Sequence, residues 1–338
     1  MSTLLDIKNL VVKFHTEMGS VHPVNGVSYT LNEGESLGIV GESGSGKSVH
    51  FLAILGLLPM PPAKIESGDA FFKGKNLIKM SAEELRHIRG REIGVVFQDP
   101  MTSLNPVLSI GRQISERLIF QFGMKKSSAL NRAEEILDLV GITEPKRIVK
   151  QYPHQLSGGM RQRVMIAIAL SCEPSLLIAD EPTTALDVTI QAQVLELVKD
   201  LRRKLGMTII WITHDLGIVA GLADTIQVMY AGMILERGPV EAVFEDPRNA
   251  YTIGLLESLP HSHHKDRDRL HQIQGQPPDM HIEPLGDPFA PRNPYATERC
   301  WRERPSLLPA HNSVEGHFVA AWYNIRKDAL NDKVNYDS

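Results

Sequence analysis

Cysteine is scarce: the 338 residues hold two, Cys172 and Cys300, far apart in the chain. Two thiols so placed exclude a disulfide framework and fit a reducing compartment. Long apolar runs are missing too. The most apolar segments, Phe51–Met60 and Met207–Thr213, are too short to span a bilayer, so any membrane role has to come through a partner. No basic cluster precedes an apolar run in Met1–Asp6, as a secretory signal would require. Positive charge is not in excess. The net charge is −4, which argues against nucleic acid as the main partner. No repeat of fixed period is visible. What remains is ordinary for a soluble globular protein, with 42% hydrophobic and 22% charged residues and length enough for two domains.

The chain is organised around Gly41-Glu42-Ser43-Gly44-Ser45-Gly46-Lys47-Ser48. An apolar run, Ser36–Val40, precedes it and a helix-like run, Val49–Leu58, follows. Strand, glycine-rich turn and helix in this order, with G-x-x-x-x-G-K-S spacing, mark a phosphate-binding loop. The glycines let several backbone N–H groups converge on one phosphate chain, and the helix adds its positive end. Lys47 reaches the β- and γ-phosphates, and Ser48 is placed to ligate Mg²⁺.

Upstream, Leu4–Phe14 and Val27–Leu31 read as strands. Phe14 is a candidate to stack on a base, and equally a core aromatic. Ile65–Phe72 reads as another strand, and Ser81-Ala82-Glu83-Glu84 as a capping box opening a helix to Ile88. Downstream, three further apolar runs end in polar groups: Ile93–Phe97 before Gln98, Ser175–Ala179 before Asp180-Glu181, and Met207–Ile212 before Thr213-His214. In open α/β sheets ligands gather at the carboxyl ends of strands. Gln98 alone is an ordinary polar strand end, and a lone His214 an ordinary structural histidine. Two acids ending a buried strand are costly unless a metal or a reaction needs them. Leu156-Ser157-Gly158-Gly159-Met160 opens the helix Arg161–Leu170, as an anion-binding end or a plain N-cap. Residues 109–150 show helical spacing, Ile110–Phe122 and Asn131–Val140, and Thr189–Leu205 forms a later helix. Thr225–Tyr230 and Met233–Arg237 form a hairpin, with helices to about Ser258. The run from His261 through His263 and His264 to Arg269 is a charged linker, with a metal role for its histidines as the alternative. Residues 273–325 read as a proline-rich, loop-rich appendage.

Together these motifs resemble the ATP-binding-cassette (ABC) family of transport ATPases, over roughly residues 4–258. Gly41–Ser48 looks like Walker A, Gln98 the Q-loop, Leu156–Met160 the LSGGQ signature with Met160 in the last place, Leu176–Glu181 Walker B, Ala185-Leu186-Asp187 the D-loop and His214 the switch histidine. The wording Phe97–Pro106, Ser157–Arg163 and Gly275-Gln276-Pro277-Pro278 is similar to the ATPase subunits of dipeptide and oligopeptide importers. The resemblance implies an α/β fold: a P-loop NTPase core with an antiparallel β subdomain, a helical subdomain (about 100–160) and a small loop-rich C-terminal appendage. Residues 1–258 would be the nucleotide-binding domain and 259–338 the linker and extension. ATP would be held by Phe14, Gly41, Glu42, Ser43, Gly44, Ser45, Gly46, Lys47 and Ser48, and by Ser157, Gly158 and Gly159 toward a facing subunit. Mg²⁺ would be held by Ser48, Gln98 and Asp180. Glu181, His214, Gln98 and Lys47 would do the chemistry. The implied partners are two permease subunits, a second and different ATPase, and an extracytoplasmic binding protein. Nucleic acid is not among them, and the place implied is the cytoplasmic face of the inner membrane. Alternative cargoes are nickel or oligosaccharides. A soluble cassette protein of translation or DNA repair is disfavoured by the short helical insertion, a non-hydrolytic regulator by Glu181 and His214, and a small-molecule kinase by the signature. Relatives often carry four cysteines suited to an iron–sulfur cluster. Here the matching positions are Asp287, Asn293, Cys300 and Ala321, so no cluster is expected. Packing around Phe289, Tyr295, Trp301 and Trp322 is expected to hold the extension instead.

Overall fold

The computed structural model describes residues 2–99, 103–184, 186–259 and 272–323. In chain order β1 (Thr3–Thr16), β2 (Gly19–Asn32), β3 (Ser36–Val40), α1 (Lys47–Ile54), β4 (Ala63–Phe72) and β5 (Lys75–Asn76) come first. Then come α2 (Ala82–Arg91), β6 (Ile93–Val96), α3 (Ile110–Phe122), α4 (Lys126–Leu139), α5 (Gly158–Leu170), β7 (Leu176–Asp180), α6 (Val188–Leu205) and β8 (Thr208–Thr213). The chain continues through α7 (Leu216–Leu222), β9 (Thr225–Tyr230), β10 (Met233–Pro239), α8 (Val240–Glu245), α9 (Ala250–Glu257), α10 (Glu298–Arg302), β11 (Leu308–Pro309) and β12 (Phe318–Val319). The linker histidines His261, His263 and His264 lie outside the described residues. No helix among the described residues is long and apolar enough to cross a membrane.

The chain forms two compact units. One consists mainly of Lys79–Ile212 with Asn32–Ser36. Its strands β8, β7 and β6 are neighbours in that order and run parallel, with Val96 opposite Ala179 and Asp180 opposite Ile212. Almost every β7 and β8 side chain is buried, which is why these strands read as unbroken apolar runs. The carboxyl ends of the three strands therefore lie level. Helix α3 turns Ile110, Ile114 and Leu118 inward, and α4 turns Ala129, Ala133, Ile136 and Leu137 inward. The Arg117 guanidinium bonds the Ile168 carbonyl of α5 at 2.8 Å. Ser81 and Glu84 form the expected capping box at α2, and regular helix ends at Ile88, because Arg89 and Gly90 leave helical geometry.

The other unit joins Thr3–Leu31, Leu37–Ile78 and the described residues from Thr213 on. It contains an antiparallel sheet ordered β2-β1-β4-β5 and a second set of strands ordered β11-β12-β10-β9-β3. β3 and β9 are parallel, with Val40 opposite Val228. β2 begins eight residues before the Val27 expected from sequence, because its polar residues find partners. The His22 N–H reaches the Met280 carbonyl at 2.8 Å, and the Asn25 amide reaches the His22 and Ala231 carbonyls at 2.8 and 2.9 Å. Helix α1 starts at Lys47, straight after the loop's last glycine, and Gly56 (φ 60°) lies just beyond its end.

Of the four aromatics expected to hold the extension, Phe289 and Trp322 pack and Tyr295 and Trp301 do not. Phe289 is 2% exposed and packs with Tyr230 and Tyr251, ring centroids 5.3 and 5.2 Å away. Tyr295 and Trp301, at 40% and 57%, face solvent. Trp322 sits under the Arg299 guanidinium, 3.7 Å above its ring, and donates its indole N–H to the Glu303 carbonyl. The anchor that sequence did not suggest is polar. The buried Glu236 carboxylate of β10 accepts the Arg248 and Asn249 N–H groups (2.6 and 3.0 Å) and pairs with His317 at 2.8 Å. A buried carboxylate is tolerated because its oxygens are all engaged. β12 pairs antiparallel with β10, Glu236 opposite Val319 and Arg237 opposite Phe318.

Candidate functional site

Candidate residues fall in both units. In the unit containing α1, Gly41–Ser48 leaves β3 and curls into the helix. Gly46 caps α1 at φ 90°, and a Cβ there would meet the Pro23 carbonyl at 2.0 Å. Only glycine fits. Lys47 is 5% exposed, and its ammonium donates to the Gly41 and Glu42 carbonyls at 2.7 and 2.9 Å. A lysine bonded to its own loop carbonyls holds a positive charge in the loop's hollow. His50 is fully buried one turn further. Its Nδ1 lies 3.2 Å from the Gly46 carbonyl and its Nε2 3.3 Å from the Tyr29 hydroxyl. A carbonyl only accepts, so Nδ1 carries the proton and Nε2 accepts from Tyr29. Burial pushes the ring's pKa down to about 4, against the opposing pull of the Gly46 carbonyl. Ser45 Oγ is buried with no hydrogen-bond partner among the described residues. An orphan hydroxyl, a seated cation and a helix N-terminus together fit a chain of phosphates. Ser43 and Gly44 are exposed at the loop's crest and Ser48 is half-buried. Phe14 is half-buried near the end of β1, opposite Ala63.

His214 follows β8 directly and is exposed. The next residue, Asp215, caps α7 by accepting the Gly217 N–H at 2.8 Å, and its own N–H bonds Thr213 Oγ at 3.0 Å. The turn that presents His214 is thereby fixed.

In the other unit, Gln98, Asp180 and Glu181 come together at the level strand ends. The Gln98 amide donates to Glu181 Oε2 at 3.1 Å. Glu181 adopts φ 45°, a left-handed backbone that costs a non-glycine residue of order 1–3 kcal/mol. Its N–H bonds the Ile212 carbonyl at 2.9 Å, holding the turn in place. The Thr184 hydroxyl donates to the same Oε2 at 3.1 Å. Sequence reasoning missed Thr184, since no motif position distinguishes a threonine three residues beyond an acid. Ser157 caps α5 by accepting the Met160 N–H at 3.3 Å, and Ser157 and Gly158 are exposed. Gly159 lies so close to α6 that a Cβ would meet Ile190 Cγ2 at 2.8 Å. Asp187 caps α6 through the Ile190 N–H at 3.0 Å. Ala185 and Pro100–Thr102 fall outside the described residues. Two other residues missed by sequence reasoning, Tyr251 and Arg292, bond Glu42.

Known families and proteins match these features. The family described as ABC transporter matches residues 24–184, and the one described as oligopeptide/dipeptide transporter, C-terminal region, matches residues 235–300. The oligopeptide transport ATP-binding protein OppD of Bacillus subtilis (strain 168) is 50% identical over 322 residues, 95% of this chain and 89% of that protein. The dipeptide transport ATP-binding protein DppD of the same organism is 49% identical over 322 residues, 95% of each chain. Among solved structures, the dimeric cassette MJ0796 in a post-hydrolysis state bound to ADP and Pi superposes with TM-score 0.63 at 30% identity, covering 70% of this chain and 98% of that one. The chain belongs to the ABC transporter ATPases, in the branch with the oligopeptide/dipeptide C-terminal region. As a member it is an ATPase with the ABC ATPase fold.

Proposed function

We propose that this chain is the energy-coupling ATPase of an importer for dipeptides or oligopeptides. One observation carries the cargo reading: the chain matches the oligopeptide/dipeptide C-terminal region as well as the cassette. Backbone N–H groups of Ser43–Ser48 hold the phosphates of ATP, and Lys47 offsets charge developing on the transferred group. Gly41 and Glu42 shape the loop, and Phe14 stacks on the base. Ser48, Gln98 and Asp180 offer oxygen donors of the kind Mg²⁺ prefers. When bound, Mg²⁺ neutralises charge on the phosphates. Gln98 gives its amide N–H to Glu181, so its carbonyl is the end left to face a metal. Glu181, its carboxylate oriented by Gln98 and Thr184, accepts the proton of the attacking water. His214 orients that water. Ser157, Gly158 and Gly159 complete the site of a facing ATPase subunit, so two nucleotides close two cassettes and hydrolysis reopens them.

The partners are two permease subunits, a second similar ATPase and, through the permeases, an extracytoplasmic binding protein. The chain then sits peripherally at the cytoplasmic face of the membrane. Val107, 75% exposed just before α3 at the start of the helical insertion, supports a docking surface there for a permease helix. The cluster positions of relatives do not fit iron here. Asp287, Asn293 and Cys300 are buried and Ala321 has no donor, leaving one thiolate where about four are wanted.

The test is reconstitution in liposomes with permeases, second ATPase and binding protein, following ATP hydrolysis against di- to octapeptides, nickel and oligosaccharides. Stimulation by peptides is expected. Stimulation only by another solute replaces the cargo. In the same vesicles Glu181→Gln is expected to retain ATP binding and lose turnover by ~10²–10⁴-fold. Normal hydrolysis by that variant would refute its role.

A further inference from the structure

Glu42, the second residue of the phosphate loop, is held at every polar group by partners outside the loop or by Lys47. Its N–H donates to the Tyr251 hydroxyl of α9 at 2.8 Å, and its carbonyl accepts Lys47. Its carboxylate takes a two-pronged pair from Arg292 of the extension, Nη1 to Oε2 at 2.8 Å and Nη2 to Oε1 at 3.0 Å. Arg292 is itself buried, its side chain 5% exposed. Its other N–H groups reach the Tyr230 hydroxyl (3.1 Å), the Gln274 carbonyl (3.0 Å) and the Ile273 carbonyl (3.3 Å). All five guanidinium donors are thus used. Gly275 lies at φ 82°, and a Cβ there would meet Arg292 Cγ at 3.2 Å. Gly275, the first residue of the Gly-Gln-Pro-Pro stretch, thus lies against the arginine stem, while the Ile273 and Gln274 carbonyls just before it hold the guanidinium. Beyond it, Pro277, Pro278 and Met280 line a cavity of about 100 Å³ together with Ser43, Gly44 and Ser45.

We propose that Arg292, seated by Ile273–Gly275, is a positioning residue that sets the phosphate loop's affinity for ATP through Glu42. This rests on the reading that Gly41–Ser48 binds ATP. A buried ion pair is favourable only when its geometry is complete, so losing one member leaves the other uncompensated. With Glu42 fixed, the N–H groups from Ser43 onward are ordered before ATP arrives. Without the clamp, binding has to order the loop, which weakens affinity. Lys47 meets the clamp at the Glu42 backbone carbonyl, a group that changes at Arg292 leave in place, so turnover at saturating ATP is affected less than affinity. Lysine cannot reproduce the fork.

The test measures ATP affinity by calorimetry and melting temperature for the full chain, and KM and kcat in the reconstituted transporter. Arg292→Gln and Arg292→Lys are expected to raise Kd and KM by about tenfold, with kcat within about twofold. Glu42→Gln is expected to raise Kd by a similar factor, and the Glu42→Gln/Arg292→Gln pair to bind no more weakly than either single change. Wild-type affinity in the Arg292 variants, whether or not their melting temperature falls, overturns the proposal. So does full additivity of the pair. Lys47→Ala separates the two readings. If it abolishes ATP binding while Arg292→Lys binds as wild type, only the clamp is wrong. If it binds ATP normally, the assignment of the loop itself fails.

Discussion

His50, buried three residues beyond Lys47, ties the phosphate helix to acid stability. The unfolded chain takes up a proton on this ring near pH 6.5, whereas the folded ring resists until about pH 4. The stability this neutral ring contributes is therefore present above pH 6.5 and is lost progressively as pH drops from 6.5 toward 4, by roughly 3 kcal/mol. His50→Gln keeps a donor for the Gly46 carbonyl and an acceptor for Tyr29 while removing the titration. Melting temperatures between pH 7.5 and 5 are expected to fall less steeply for the variant, and equal slopes would contradict the assignment. His50 carried no signal in the sequence, because a histidine in a helix reads the same inside or outside the core. Lys47, Ser48, Asp180 and Glu181 stood out as candidates because phosphate chemistry demands those residue types at set spacings beside a strand end. Thr184, Tyr251 and Arg292 were not. Their partners are chosen by geometry, and for the last two across more than two hundred residues of chain.

Elements were legible where local chemistry decides them. Ser81 and Glu84 form the box their spacing announced, and α3 spans the segment its periodicity marked. β2 was under-read because buried polar residues break the alternation that identifies a strand, and their compensating carbonyls lie elsewhere. The junction of α5 and α6 shows the same dependence on distant packing. Gly159→Ala would ordinarily favour a helix, yet here it pushes a methyl into Ile190. Overpacking of this kind costs about 1–3 kcal/mol. The variant is expected to melt lower than wild type, and Ile190→Ala in the same chain to recover part of the loss. A double variant no more stable than Gly159→Ala would show that the contact is not what excludes a side chain there.

At the scale of the whole molecule, the extension joins the core of one unit. Phe289, Ala290, Cys300 and Tyr323 belong to the same apolar cluster as Val228, Tyr230 and Tyr251. A proline-rich composition disguises this, since loops with little periodicity can still deliver single anchoring side chains. Iron analysis and visible absorption of anaerobically purified protein are expected to show no cluster; about one cluster per chain would overturn that reading. The pairing of β12 with β10 also bears on synthesis. A ribosome that has delivered residues up to Leu259 has made every nucleotide-binding motif, yet the outer edge of β10 is still bare and Glu236 still lacks His317. Such an edge invites pairing with other chains. A late frameshift therefore strips the cover from this edge and the Arg292 clamp from the phosphate loop in one event, and is expected to show as aggregation of nascent protein together with weaker ATP binding.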